Sequence, residues 1–152
     1  MIKLKDIIEE AIENKPKFLW HGSINKYNIL NPHQAKDIGG SPGSNQNAIY
    51  ATDNKIFAIQ MGLFTKDSDT GIPDWNIPNP KIVLFKGNIR RGRKVYLHVV
   101  PSNTFQKTST KHEWYSKDSV RPVKVVEVNV NDYLHLMRLP TKKDLEIRKK
   151  YK

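Results

Sequence analysis

Three side chains capable of acid–base or electrostatic chemistry stand where apolar runs break off: His21 in "FLWHGS", Tyr50 in "NAIYAT" and Glu113 in "KHEWYS". Strand ends that border long loops are where pockets form, and a polar group set in an apolar frame must find a partner. The chain has no cysteine, which excludes disulfides, thiolate nucleophiles and cysteine-ligated zinc. Any chemistry therefore comes from imidazole, carboxylate, hydroxyl or backbone groups. Taken singly, each residue also has an ordinary structural reading: a satisfied histidine, a core tyrosine, a surface glutamate paired with a lysine. His21, His33, His98, His112 and His135 show no metal-ligand spacing, so no metal is expected.

The elements that must position these groups follow from periodicity. Leu4, Ile7, Ile8, Ala11 and Ile12 paint one face of an N-terminal helix that Pro16 stops. "KFLWHGS" reads as a short buried strand, and "NPHQAKDIGGSPGSNQN" as a loop rich in turn formers. "GGSPGS" lacks the lysine and helix start of a phosphate-binding P-loop and reads as a flexible wall. "AIYAT" is a second strand running into a helix over "DNKIFAIQMGLF", capped by Asp53 or Asn54. A proline-bearing loop, "KDSDTGIPDWNIPNP", follows; then "KIVLFKGNI" and "KVYLHVVP" read as a hairpin around the basic turn "RRGRK". "HEWYS" and the alternating "VKVVEVNV" add two more strands, and "TKKDLEIRKKYK" reads as a short charged helix or a frayed end. The pattern predicts an α+β domain over 1–152, with an N-terminal helix at 1–16, a core at 17–138 and a basic tail at 139–152.

At 152 residues, one core is the natural number. A formal charge of +11 favours phosphate-bearing partners such as nucleic acid or a nucleic-acid-bound protein. Solubility or a lysine-rich genomic composition would produce the same excess. No apolar run is long enough for a bilayer and the N-terminal stretch is charged through its middle, so no membrane association and a cytoplasmic location are expected.

Taken together, "LWHGS", "AIYATDNKIFAIQMG" and "KHEWYS", in that order, resemble the ADP-ribosyltransferase fold in its poly(ADP-ribose)-polymerase and diphtheria-toxin-like branch. The resemblance spans roughly residues 18–130 and implies a split β-sandwich that binds NAD+ as a substrate. It implies that His21 bonds the adenosine ribose, that the backbone of Gly22 holds the nicotinamide carboxamide, and that Ser23 fixes the turn or touches the ribose. Tyr50 would stack beside the nicotinamide. Glu113 would stabilise the oxocarbenium character that develops as the N-glycosidic bond breaks, or deprotonate an acceptor. The chain departs from the family pattern at Ala58, where a carboxamide-binding serine falls, and at Met61, where a second aromatic wall falls. Phe57 or Phe64 offers a substitute face, and methionine itself packs against rings. Lys111, two before the glutamate, argues against an arginine-specific toxin. The resemblance thus implies mono-ADP-ribosylation of a macromolecule. The alternatives are a non-catalytic module of the same fold that binds nucleic acid or a phosphorylated ligand, and an NAD+-using RNA 2'-phosphotransferase.

Overall fold

The computed structural model describes residues 15–35 and 43–150. The expected N-terminal helix and the centre of the glycine-rich loop lie outside the described residues. Within them the protein is strand-rich α+β, built on two sheets.

The larger sheet has seven strands: β1 (Phe18–Ser23), β2 (His33–Gln34), β3 (Asn47–Thr52), β6 (Lys94–Pro101), β7 (Gln106–Lys107), β8 (Glu113–Ser116) and β9 (Lys124–Asn129), in the order β7-β8-β3-β1-β6-β9 with β2 on β3. Its strands alternate as a sheet covered on both faces must. Trp20, Val95, Leu97, Val126 and Val128 turn to one face, where they meet helix α1 (Lys55–Gln60) and the smaller sheet through Ala58, Ile59, Leu63, Ile82 and Leu84. Leu19, Ile49, Ala51 and Val100 turn to the other, under Leu30, Phe105 and Val120.

Helix α1 starts where the sequence places a cap: the Asn54 side chain accepts the Ile56 amide at 2.9 Å. Six residues are too few to be stable as an isolated helix, so burial of Phe57, Ala58, Ile59 and Gln60 holds it. It lies so close to β1 that a β-carbon on Gly22 would stand 1.7 Å from the Ala58 carbonyl oxygen.

The smaller sheet joins β4 (Asp69–Gly71), β5 (Ile82–Lys86) and β10 (Met137–Arg138), with β10 parallel to β5. The hairpin expected from "KIVLFKGNI" and "KVYLHVVP" is therefore corrected: β5 belongs to this sheet, while β6 lies between β1 and β9 in the other. The connection is drawn aside by Arg90, whose amide donates to the Leu63 carbonyl at 2.9 Å and whose guanidinium donates to that of Gly62 at 2.6 Å. Ile82, Val83 and Leu84 are buried in succession, the mark of a strand covered on both faces rather than half of an exposed hairpin.

After a 3-10 helix (Val130–Leu136) and β10, the chain ends in helix α2 (Lys142–Lys149). Thr141 and Asp144 form a reciprocal capping box. Arg138 bonds both oxygens of the buried Asp144 and holds its carboxyl far below the usual carboxylate range. Arg148 pairs with Asp69 and lies 5.1 Å from the Phe85 ring centroid, which docks α2 on the smaller sheet. Among the described residues no helix is long and apolar enough to cross a membrane.

The Gly22 contact is directly testable. Gly22→Ala should lower stability by ~3 kcal/mol, the upper end of overpacking costs, because the opposing atom is backbone and cannot rotate away. Urea unfolding should show a reduced midpoint with an unchanged slope.

Candidate functional site

Strand β1 pairs with β6 along its whole length but registers with β3 at Trp20 opposite Thr52 alone. Past that point the β3-facing edge of β1 is open, and His21, Gly22 and Ser23 lie along it. The His21 ring fills the opening: Nδ1 lies 2.6 Å from the Tyr50 carbonyl oxygen. A carbonyl only accepts, so Nδ1 carries the hydrogen and Nε2 is left as a bare acceptor.

His98, opposite His21 on β6 and fully buried, supports this arrangement. Its Nε2 accepts the Tyr27 amide at 3.0 Å, so its Nδ1–H donates to the His21 carbonyl at 3.1 Å. Protonation would turn the Nε2 hydrogen against the Tyr27 N–H. Burial lowers the His98 pKa and pushes that of His21 down to about 4. Both rings are neutral at physiological pH, with single tautomers imposed by backbone partners.

His21, Gly22 and Ser23 open into a cleft of about 470 Å³. The segment after β1 forms one wall with Tyr27, Ile29 and Leu30, and the end of α1 forms the other with Gln60, Met61 and Phe64. Ser23 has its hydroxyl on the Asn25 amide at 3.1 Å, which braces the turn out of β1. Met61 is 55% exposed and forms an apolar part of the rim. Gln60 carries a signal that periodicity concealed, since it occupies a core-facing position of α1 and is buried. Its Nε2 donates to the carbonyls of Pro80 at 2.9 Å and Leu136 at 3.1 Å, while its Oε1 has no partner among the described residues. That oxygen is a buried acceptor at the cleft wall, and satisfying it is worth ~1–3 kcal/mol.

Tyr50 and Glu113 stand on the adjoining strands rather than in that lining. Glu113 lies opposite Thr52, and Tyr115 opposite Tyr50, so Glu113 and Tyr50 share one face of the β3–β8 ladder. The Tyr50 hydroxyl donates to the Gly43 carbonyl at 2.7 Å and accepts the Gln46 amide at 2.8 Å. Glu113 Oε1 accepts from Ser44 Oγ at 2.6 Å and Thr108 Oγ1 at 2.9 Å, while its Oε2 has no hydrogen-bond partner among the described residues. Charge-assisted bonds of this kind hold a carboxylate in one orientation. Nothing in the sequence linked Ser44 to Glu113, since that contact spans 69 positions, while Thr108 reaches Glu113 across the β7–β8 turn. His112, with φ 64, bonds Asp53 at 2.5 Å, and Trp114 Nε1 donates to the other Asp53 oxygen at 2.9 Å. These bonds flank Glu113 and tie the start of β8 to the end of β3. Among the described residues no cluster of three or more histidine or acidic side chains is arranged to hold a metal.

The neutral histidines make stability depend on pH in a stated direction. Between about pH 4 and 6.5 the unfolded chain binds the proton that folded His21 refuses, so stability should fall as pH drops through that interval. At about 1.4 kcal/mol per pKa unit, reduced because His21 borders the solvent-filled cleft, the loss is of order 2 kcal/mol. Imidazole nitrogen NMR should show Nδ1–H tautomers for His21 and His98 at pH 7. A doubly protonated His21 at pH 6 would contradict the assignment.

No protein-family model matches the chain, and neither a curated protein nor a solved structure matches it.

Proposed function

We propose that the protein is an NAD+-dependent mono-ADP-ribosyltransferase with a split β-sandwich of the poly(ADP-ribose)-polymerase and diphtheria-toxin-like kind. The observation that carries the reading is the opening between β1 and β3, where His21 presents a neutral Nε2 acceptor next to the backbone of Gly22 in a cleft. A ribose hydroxyl is the donor that such a nitrogen suits, and the amide N–H and carbonyl of residue 22 are the complement of a primary carboxamide.

In the reaction, the bond between ribose C1' and the nicotinamide nitrogen breaks, and its electron pair neutralises the pyridinium. Positive charge moves onto C1' and the ring oxygen. Glu113, oriented through Oε1 by Ser44 and Thr108, has Oε2 available for the 2'-hydroxyl, a bond that strengthens as the charge develops. Attack by the acceptor forms the new bond at C1', and its proton leaves to the same carboxylate or to water. For Glu113 to meet the ribose, the 43–46 segment that covers Glu113 and Tyr50 must yield to the dinucleotide or line it.

Glu113→Gln keeps an oxygen for the Ser44 and Thr108 hydroxyls and removes the charge needed in the transition state. It should release nicotinamide at least ~100-fold more slowly than the parent while showing the same NAD+-induced thermal shift. Release at the parental rate would remove Glu113 from the mechanism. No thermal shift with NAD+ in either protein would favour the non-catalytic alternative.

A further inference from the structure

Arg90, Arg91 and Arg93, in the connection between β5 and β6, border a second, shallower groove of about 530 Å³. Ile24 and Thr65 belong to both the groove and the cleft, so the two hollows share a rim. Arg90 is anchored there by the carbonyls of Gly62 and Ile24. Desolvation, with a contribution from the nearby Arg93 charge, lowers its pKa. Arg91 and Arg93 are exposed, and among the described residues no hydrogen bond or ion pair engages either guanidinium. Lys66 lies on the cleft side of the rim, and Lys26 follows Asn25 on the other. Glu127, which lies within electrostatic reach of Lys26, is already paired with Lys94. Like charges crowded along one groove without counter-charges form a site for anions.

We propose that this groove holds the phosphodiester backbone of a single-stranded nucleic acid, whose unpaired acceptor nucleotide crosses the Ile24–Thr65 rim into the cleft. A row of guanidinium groups along one hollow suits a polymer with a phosphate at every step better than a lone phosphate, and the +11 charge adds long-range attraction. A single strand is favoured over a duplex because a group that reaches into the cleft must first leave its stack, which costs a few kcal/mol when it is paired. Binding of the strand stands on the groove alone, whereas its role as acceptor rests on the transferase reading. In that role a nucleophilic nitrogen or oxygen of the nucleotide bonds to ribose C1', nicotinamide leaves with the electron pair of the broken bond, and the acceptor proton passes to Glu113 or water.

The experiment measures fluorescence anisotropy of a labelled single-stranded oligonucleotide and its duplex against salt, for the parent, Arg91→Ala/Arg93→Ala, and Lys142→Gln/Lys143→Gln. The lysine variant removes the same charge from exposed positions on α2. The single strand should bind more tightly than the duplex. The arginine variant should lose at least ~10-fold in affinity at low salt, and its log–log salt slope should flatten by about 1.4 for two lost single-strand phosphate contacts. The lysine variant should stay within about 3-fold of the parent, and NAD+ thermal shifts should be the same in all three. Equal losses in the two variants, or tighter duplex binding, would overturn the groove. So would loss of the NAD+ shift with strand binding retained, which would give the groove to the dinucleotide's own phosphates. Mass spectrometry of the strand after incubation with NAD+ tests the acceptor role: one added ADP-ribosyl unit supports it, and nicotinamide release with an unmodified strand refutes it. A strand that binds where no nicotinamide is released would sink the transferase reading and leave the groove standing.

Discussion

The passage of the α1 backbone over Gly22, with the Ala58 carbonyl where a β-carbon would be, is the contact on which the rest of the site depends. Because β1 carries no side chain there, the helix settles onto the sheet and its last turn reaches the opening between β1 and β3. Gln60 and Met61 then become walls of the cleft, and Gly62 and Leu63 become the carbonyl anchors of Arg90. A close approach of this kind is available only to glycine.

The electrostatics divide in a comparable way between surface and interior. The chain is strongly basic, yet the histidines behind the cleft are neutral, because burial disfavours their charged forms and backbone groups fix their tautomers. An anionic ligand therefore meets cations at the rim, in Arg91, Arg93 and Lys66, and uncharged acceptors inside. Such a gradient draws an anion to the rim without placing positive charge on the buried histidines.

The α+β class, the strands bearing His21, Tyr50 and Glu113, and the helix after the second strand were legible in the chain, because local patterning and capping determine them. The separation of β5 from β6 was not. Two apolar runs joined by a basic turn have a hairpin's local grammar, and only the pull of Arg90 toward Leu63 and Gly62, with β4 and β10 as alternative partners for β5, sends them to different sheets. The two-residue strands β2, β7 and β10 were equally hidden, since so short a segment has no period to read. Within the site, His98 falls in the strand "KVYLHVVP" and, by spacing, among histidines expected to hold no metal. Its role emerges only when the chain turns back and the Tyr27 amide arrives at Nε2.

By itself, the sequence determined which groups are present for chemistry, the order in which they occur, the lack of thiols and the excess of positive charge, since these are properties of the chain and its nearest neighbours. Tertiary structure alone decided that β1 and β3 part at His21, and that the buried Gln60 leaves its Oε1 without a partner among the described residues. It also decided that Ser44 and Thr108 clasp Glu113, and that the arginine turn shares a rim with the cleft. Apart from the Thr108 bond, which closes the β7–β8 turn, these features join residues distant in the chain through sheet register and loop closure, which short-range propensity does not encode.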